Sequence, residues 1–481
     1  MGEGALSAGA LWNDRTMSQA PQTSFDSLPL PPATLANLSR LGYLEMTAIQ
    51  AASLPTALLG KDLIAQAKTG SGKTAAFALA LLANLNARRF AVQTLVLCPT
   101  RELADQVTTE IRRLARAEDN VKVITLSGGV PLRGQTTSLG HGAHIVVGTP
   151  GRVLDHLDRG NLQLDALNTL VLDEADRMLD MGFVDDIAKV ARQCPAQRQT
   201  LLFSATYPEG IAKLAAQFMR EPVMVKVEAQ HGGEQIEQRW YEVTEPQRLA
   251  QVARLLDHFR PASTLAFCNT RARCRELVEL LQAQGYSALA LHGELEQRDR
   301  DQVLVRFANG SCSVLVATDV AARGLDVAGL AAVINVDITP DPEVHVHRIG
   351  RPARAGETGL ALSLASLDEM GAVGRIEQWQ GRESEWHHLA ELTPAASGHL
   401  LPAMATIHLQ AGRKEKIRPG DVLGALTADL GYTREQIGKI DINEFATYVA
   451  VQRGIAGEVV ARLNQGKVKG RSVKARLLTD D

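Results

Sequence analysis

The chain has 481 residues, 45% of them apolar, with a net charge of −3 and five cysteines. That length accommodates two to four domains with substantial cores, and no apolar run approaches the roughly 18 residues of a bilayer-spanning helix. Cysteines that are odd in number and scattered exclude a disulfide framework or a closely spaced zinc site. The N-terminus lacks a basic stretch followed by an apolar one, so no membrane association and a cytoplasmic location are expected.

In chain order, residues 1–24 are rich in small and polar types without sustained period, an expected flexible lead-in with Met17 as an alternative start to Met1. From 25 to 227, strand-like runs at Leu63–Ala65, Leu95–Cys98, Ile145–Val147, Leu170–Leu172 and Leu201–Phe203 alternate with amphipathic helical runs. This alternation predicts a doubly wound parallel α/β domain. A polar linker is expected over 228–240, and the alternation resumes over 241–392 at Thr264–Cys268, Ala288–Leu291, Val314–Ala317, Val333–Val336 and Leu360–Leu364. After a break at 393–402, the segment 403–481 reads strand, helix, strand, strand, helix, strand, the βαββαβ order of an RNA-recognition-like α+β domain. Charge follows this division: 403–481 has 13 basic against 9 acidic residues, the remainder 38 against 45.

Two runs carry chemistry. Ala67, Lys68, Thr69, Gly70, Ser71, Gly72, Lys73 and Thr74 follow a strand and open a helix, the setting of a phosphate-binding loop. Glycines there let backbone N–H groups approach the anion, Lys73 reaches the outer phosphates, and Thr74 ligates Mg²⁺. Asp173 and Glu174 close a later strand at the carboxyl edge of the sheet, where ligands bind. Adjacent acids divide the labour of ATP hydrolysis, Asp173 holding Mg²⁺ and Glu174 deprotonating the attacking water. Only the first α/β domain has such a loop. The second contributes arginines in the octet from His347 to Arg354, of which Arg351 and Arg354 stabilise charge on the transferring phosphoryl group if the domains close on one nucleotide.

These runs, with Pro99–Leu103, Gly128–Gly129, Thr149–Arg152, Ser204–Thr206, Phe267–Thr270, His292–Gly293, Gln297 and Arg300, and Ala317–Asp326, resemble the DEAD-box family of ATP-dependent RNA helicases from about Phe25 to Ala390. The resemblance implies two tandem RecA-like domains. It also implies adenine contacts by Phe25 and Gln50 with Thr47 gating the site, a ribose contact by Asp326, and coupling by Ser204 and Thr206. RNA is then held by Thr100, Arg101, Gly129, Thr149, Arg152, Thr270, Gly293, Arg300, Thr318 and Arg323, through phosphates and 2′-hydroxyls. Met46, Ala48 and Pro352 depart from the family pattern, and Pro352 pushes Arg351 towards extended angles.

The last segment resembles that of bacterial family members activated by 23S ribosomal RNA. That implies a monomer gripping a 23S hairpin within pre-50S particles while the core opens helices nearby. Strand alternation points Thr406, His408, Ala446, Tyr448 and Ala450 outward, leaving Tyr448 as the one clear stacking platform, with His408 second. Recognition is therefore also assigned to loop cations Arg413, Lys414, Lys416, Arg418, Lys467, Lys469 and Arg471. A DNA helicase and a ribosomal RNA anchor without turnover are the competing readings.

Overall fold

The computed structural model describes residues 23–67, 70–227, 236–322, 330–350, 359–393 and 399–479. They fall into two compact units divided between Ala229 and Gln230.

The first unit is built on seven parallel strands, β1 (Leu63–Gln66), β2 (Thr94–Leu97), β3 (Val123–Leu126), β4 (Ile145–Gly148), β5 (Thr169–Asp173), β6 (Gln199–Ser204) and β7 (Val223–Lys226). Their order is β3-β4-β2-β5-β6-β1-β7, with every pairing parallel. Alternation divides each strand between two cores. Ala65, Val96, Val171, Leu201 and Phe203 enter one, and Ile64, Leu95, Leu97, Leu170, Leu172 and Leu202 enter the other. Burial on both faces explains why the strands read as continuous apolar runs. It also places every strand's carboxyl end on one edge.

The second unit repeats the plan with β8 (Ile236–Glu242), β9 (Thr264–Phe267), β10 (Ala288–Leu291), β11 (Val314–Ala317), β12 (Ala332–Asn335), β13 (Gly359–Ala365) and β14 (Trp386–His387). The order β10-β11-β9-β12-β13-β8-β14 matches the first sheet position for position. Strand β8 begins inside the segment expected as a linker. It is next to the short edge strand β14 and is only partly buried along its length, so its sequence Ile-Glu-Gln-Arg-Trp-Tyr-Glu has none of the apolar continuity of the inner strands.

The same unit continues into an antiparallel sheet of β15 (Met404–Leu409), β16 (Ile437–Ile442), β17 (Thr447–Gln452) and β18 (Ala475–Leu477), ordered β16-β17-β15-β18. Helices Pro419–Gly424 and Ala456–Gln465 cover one face around Ile407, Val422, Val449, Val451 and Val459. The helix Pro419–Gly424 widens at its end into a π-helix at Ala425–Asp429.

Candidate functional site

The phosphate loop lies between β1 and the helix Lys73–Ala83. Gly72 caps that helix at φ 95°, and a Cβ there would lie 2.6 Å from Gln50 Nε2 and 2.9 Å from Thr47 Oγ1, so only glycine fits. Gln50 Nε2 donates to Gly72 O at 3.1 Å while Gln50 Oε1 accepts from Thr47 N–H at 2.9 Å. Gln50, held by Thr47, thus grips the loop directly, and its carboxamide keeps a second N–H and a second lone pair with which to serve a base edge. Phe25 is 4% exposed, with Tyr43 edge-on at 6.5 Å. Lys68 and Thr69 lie outside the described residues.

Lys73 is buried, and its Nζ donates to Ala67 O at 2.6 Å. Burial lowers its pKa, opposed by the charges of Asp173, Asp176 and Glu174. Asp173, at the end of β5, is pushed up to about 7 by burial first and by Glu174 next, with Lys73 pulling the other way. Glu174 stands at φ 53°, ψ 52°, a left-handed conformation uncommon for a non-glycine residue and of the kind that clusters at active sites. Its Oε2 accepts from Arg177 Nη1 at 2.9 Å, both side chains buried. Thr74 and Asp173 supply oxygen ligands only, the donor set Mg²⁺ prefers when phosphates and waters complete its shell.

A hydrogen-bonded path joins this site to the next strand. Ala67 N–H donates to Ser204 O at 3.0 Å, and Asp176 N–H donates to Ser204 Oγ at 3.2 Å. Asp176 Oδ2 accepts from the N–H groups of Ala205 and Thr206, at 3.0 and 2.9 Å, and from Thr206 Oγ1 at 3.1 Å. The sequence reading assigned coupling to Ser204 and Thr206 but gave no role to Asp176 or Arg177. The available signal was their position: Asp176 ends the acidic run, and Arg177 lies three residues after Glu174 on a helix.

The edge is divided. Loop, acids and hydroxyls follow β1, β5 and β6, whereas the residues expected at RNA follow β2, β3 and β4. Thr100 caps the helix Arg101–Leu114, accepting from Leu103 N–H at 3.3 Å, and Arg101 approaches Asp105 at 3.8 Å. Gly129 turns at φ 77°, and Thr149 caps the helix Pro150–Asp158. Arg152 Nη1 donates to Val130 O at 3.1 Å and Gln135 Oε1 at 2.9 Å, which ties that helix to the turn at Gly129. In the second sheet Thr270, Gly293 and Thr318 follow the matching strands β9, β10 and β11. Thr270 repeats the cap, accepting from Arg273 N–H at 3.2 Å, and Arg300 Nη2 donates to Ala321 O at 2.9 Å.

Within the arginine octet, Arg348 is a buried hub. It takes both oxygens of Asp319 at 2.6 Å, donates to Asp337 O at 2.8 Å and Asn269 Oδ1 at 3.0 Å, and lies 5.0 Å from the Phe267 ring centre. Arg323, Asp326, Arg351, Pro352 and Arg354 lie outside the described residues.

The C-terminal sheet corrects one expectation. Its outward face is sealed: Thr406, His408, Tyr448 and Ala450 are 1%, 4%, 3% and 0% exposed. Thr406 Oγ1 meets Asn309 Nδ2 at 2.9 Å and Ser311 Oγ at 2.7 Å, and Arg306 Nη1 donates to Thr479 O at 2.8 Å. His408 and Tyr448 pack on each other at 5.2 Å, and burial lowers the pKa of His408 and raises that of Tyr448. Tyr448 is therefore part of the seat of this sheet on the neighbouring α/β layer, and no stacking platform. Alternation gave the right face, but one module read alone cannot show what covers it. The basic loops remain at the surface. Lys469 Nζ donates to Lys416 O at 2.5 Å and to Asp421 Oδ2 at 3.0 Å, Arg413 and Lys414 pair with the β16–β17 turn, Arg418 caps the helix Pro419–Gly424, and Lys467 and Arg471 flank the turn of Lys469.

Three family models match: DEAD/DEAH box helicase over 47–214, helicase conserved C-terminal domain over 247–356, and DbpA RNA binding domain over 406–477. The chain is 52% identical to the ATP-dependent RNA helicase DbpA of Escherichia coli K12, covering 95% of this chain and 100% of that relative. It is 45% identical to the DEAD-box ATP-dependent RNA helicase CshA of Geobacillus kaustophilus, over 76% of this chain and 78% of that one. The solved structure of S. cerevisiae Dbp5 bound to RNA and ADP BeF3 is similar at TM-score 0.70 and 29% identity, covering 76% of this chain and 96% of that one.

Proposed function

The chain belongs to the DEAD-box family of ATP-dependent RNA helicases, and from that premise we propose that it couples ATP hydrolysis to local, non-processive opening of 23S ribosomal RNA helices during assembly of the 50S subunit. The sheet edge of the first unit supports the coupling: the nucleotide residues and the RNA residues share it, with Ser204, Asp176 and Thr206 on the side of the acids.

In this reading Lys73 exchanges Ala67 O for the outer phosphates, and Gln50 and Thr47 report on the base through Gly72. Thr74 and Asp173 would hold Mg²⁺, which when bound would supply charge neutralisation at the phosphates. Glu174, aimed by Arg177 and by its left-handed backbone, takes the proton of the attacking water. Thr100, Arg101, Gly129, Thr149 and Arg152 hold one strand by phosphate and 2′-hydroxyl, as do Thr270, Gly293, Arg300 and Thr318, contacts that carry little sequence information. Target choice then falls to the C-terminal module, whose match to the DbpA RNA binding domain supports a ribosomal RNA target. The pairing of a hydrolytic site with that module, in a cytoplasmic monomer, is the whole of the reading.

The ATPase rate with 23S ribosomal RNA, 16S ribosomal RNA and sequence-matched DNA tests it. The expected order is 23S first by about ten-fold, with DNA giving no stimulation, and Glu174→Gln lowers the stimulated rate by roughly 10²- to 10⁴-fold while RNA binding is kept. Equal stimulation by DNA would remove the 2′-hydroxyl argument.

A further inference from the structure

With the sheet face sealed, a module that reads RNA needs another surface for bases. Its described aromatics are Tyr432, 9% exposed, Tyr448, 3% exposed, and Phe445, 60% exposed on the turn between β16 and β17. A lone exposed ring is ordinary, but the setting of this one is not. Lys414 Nζ stands 4.0 Å from its centroid while pairing with Glu444 at 3.3 Å. The loop carrying Lys414 is pinned to the turn, Arg413 N–H donating to Asn443 O at 2.9 Å and Lys414 N–H to Glu444 O at 3.0 Å. Gly412 makes this approach possible, since a Cβ there would strike Asn443 O and Ala446 N. The same loop turns at Lys416, φ 61°, whose carbonyl is held by Lys469, itself at φ 53°. Two non-glycine residues in left-handed conformations, locked together across two loops, are strain of the kind found at ligand sites.

We propose that Phe445 is the surface on which the C-terminal module stacks an unpaired RNA base, with the ordered lysine loops beside it receiving the flanking phosphates. The proposal rests on the reading of this module as RNA-binding. A lysine at an exposed aromatic surface suits a nucleotide, because the ring accepts any base by stacking and the cation accepts its phosphate. A protein acidic patch would use the lysines and leave the ring idle.

The test uses the full chain, a labelled 23S ribosomal RNA transcript and a blunt RNA duplex, titrated across a salt series. Phe445→Ala is expected to weaken the transcript about ten-fold or more, with the salt slope unchanged and duplex affinity within two-fold. Phe445→Trp restores binding, which separates stacking from folding. Arg413→Ala with Lys467→Ala lowers the salt slope by about one to two for both RNAs. Transcript affinity within two-fold of the parent for Phe445→Ala overturns the proposal; if the basic pair still weakens binding, the RNA reading of the module stands without Phe445. If neither variant changes binding, both fall.

Discussion

The two parallel sheets have the same strand order, and the chemistry after corresponding strands is opposite. After β5 the first unit places Asp173 beside a second carboxylate, buried and pushed up to about 7. After β12 the second unit places Asp337, which accepts from Asn269 N–H at 2.8 Å and Arg273 Nη1 at 2.9 Å, with Arg248 at 4.0 Å. Arg248 is almost fully buried and also binds Glu245 and Glu369 at 2.8 and 2.6 Å. The first scaffold thus pairs only Glu174 with an arginine, Arg177, and leaves Asp173 pushed up by burial, whereas the second surrounds Asp337 with Arg273 and Arg248. The difference teaches that strand order positions a site but does not supply it; the few residues following each strand do.

The largest expected effect on stability lies in the second sheet. Arg348→Ala leaves Asp319 without its bidentate partner and should cost about 3–5 kcal/mol. Chemical unfolding followed by tryptophan fluorescence reads this cleanly, because Trp240, Trp379 and Trp386 are three of the four tryptophans and all belong to the second unit. The account expects nucleotide binding by the first unit to survive at denaturant concentrations where this signal is lost.

A smaller effect depends on pH. His345 is buried against Trp240 at 5.3 Å, and burial, then Arg348, lowers its pKa to about 3. A histidine depressed in the folded state contributes fully above its unfolded pKa of about 6.5, and that contribution falls by roughly 1.4 kcal/mol per pH unit as pH drops towards 3. Unfolding curves at pH 7 and pH 5 should differ by about 2 kcal/mol in the second unit. His345→Phe should remove that difference, and a slope unchanged by the substitution would place the titrating group elsewhere.

Both α/β units and the C-terminal βαββαβ order were legible because apolar runs and turn signals are local. Strands β3, β7 and β14 were not among the expected runs, and β8 fell mostly within the expected linker because its Trp240 and Tyr241 come late. The phosphate loop and acid pair were legible through spacing. Arg177, Asp176 and the Arg348 hub were not, because their partners come from turns of one helix or from strands far apart in sequence. The face that carries Tyr448 was misread for a related reason: Asn309 and Ser311, 97 and 95 residues before Thr406, cover it through their bonds to Thr406.

The central proposal is that Ser204 and Thr206, tied to the acidic run through Asp176, couple the nucleotide site to RNA binding. Thr206→Val removes one of the hydrogen bonds to Asp176 at nearly constant shape. The ATPase rate of this variant, with and without 23S ribosomal RNA, is the most direct test. The account predicts a basal rate within about three-fold of the parent and RNA stimulation reduced on the order of ten-fold, the loss of about 1.4 kcal/mol of coupling. Full stimulation in Thr206→Val would contradict it.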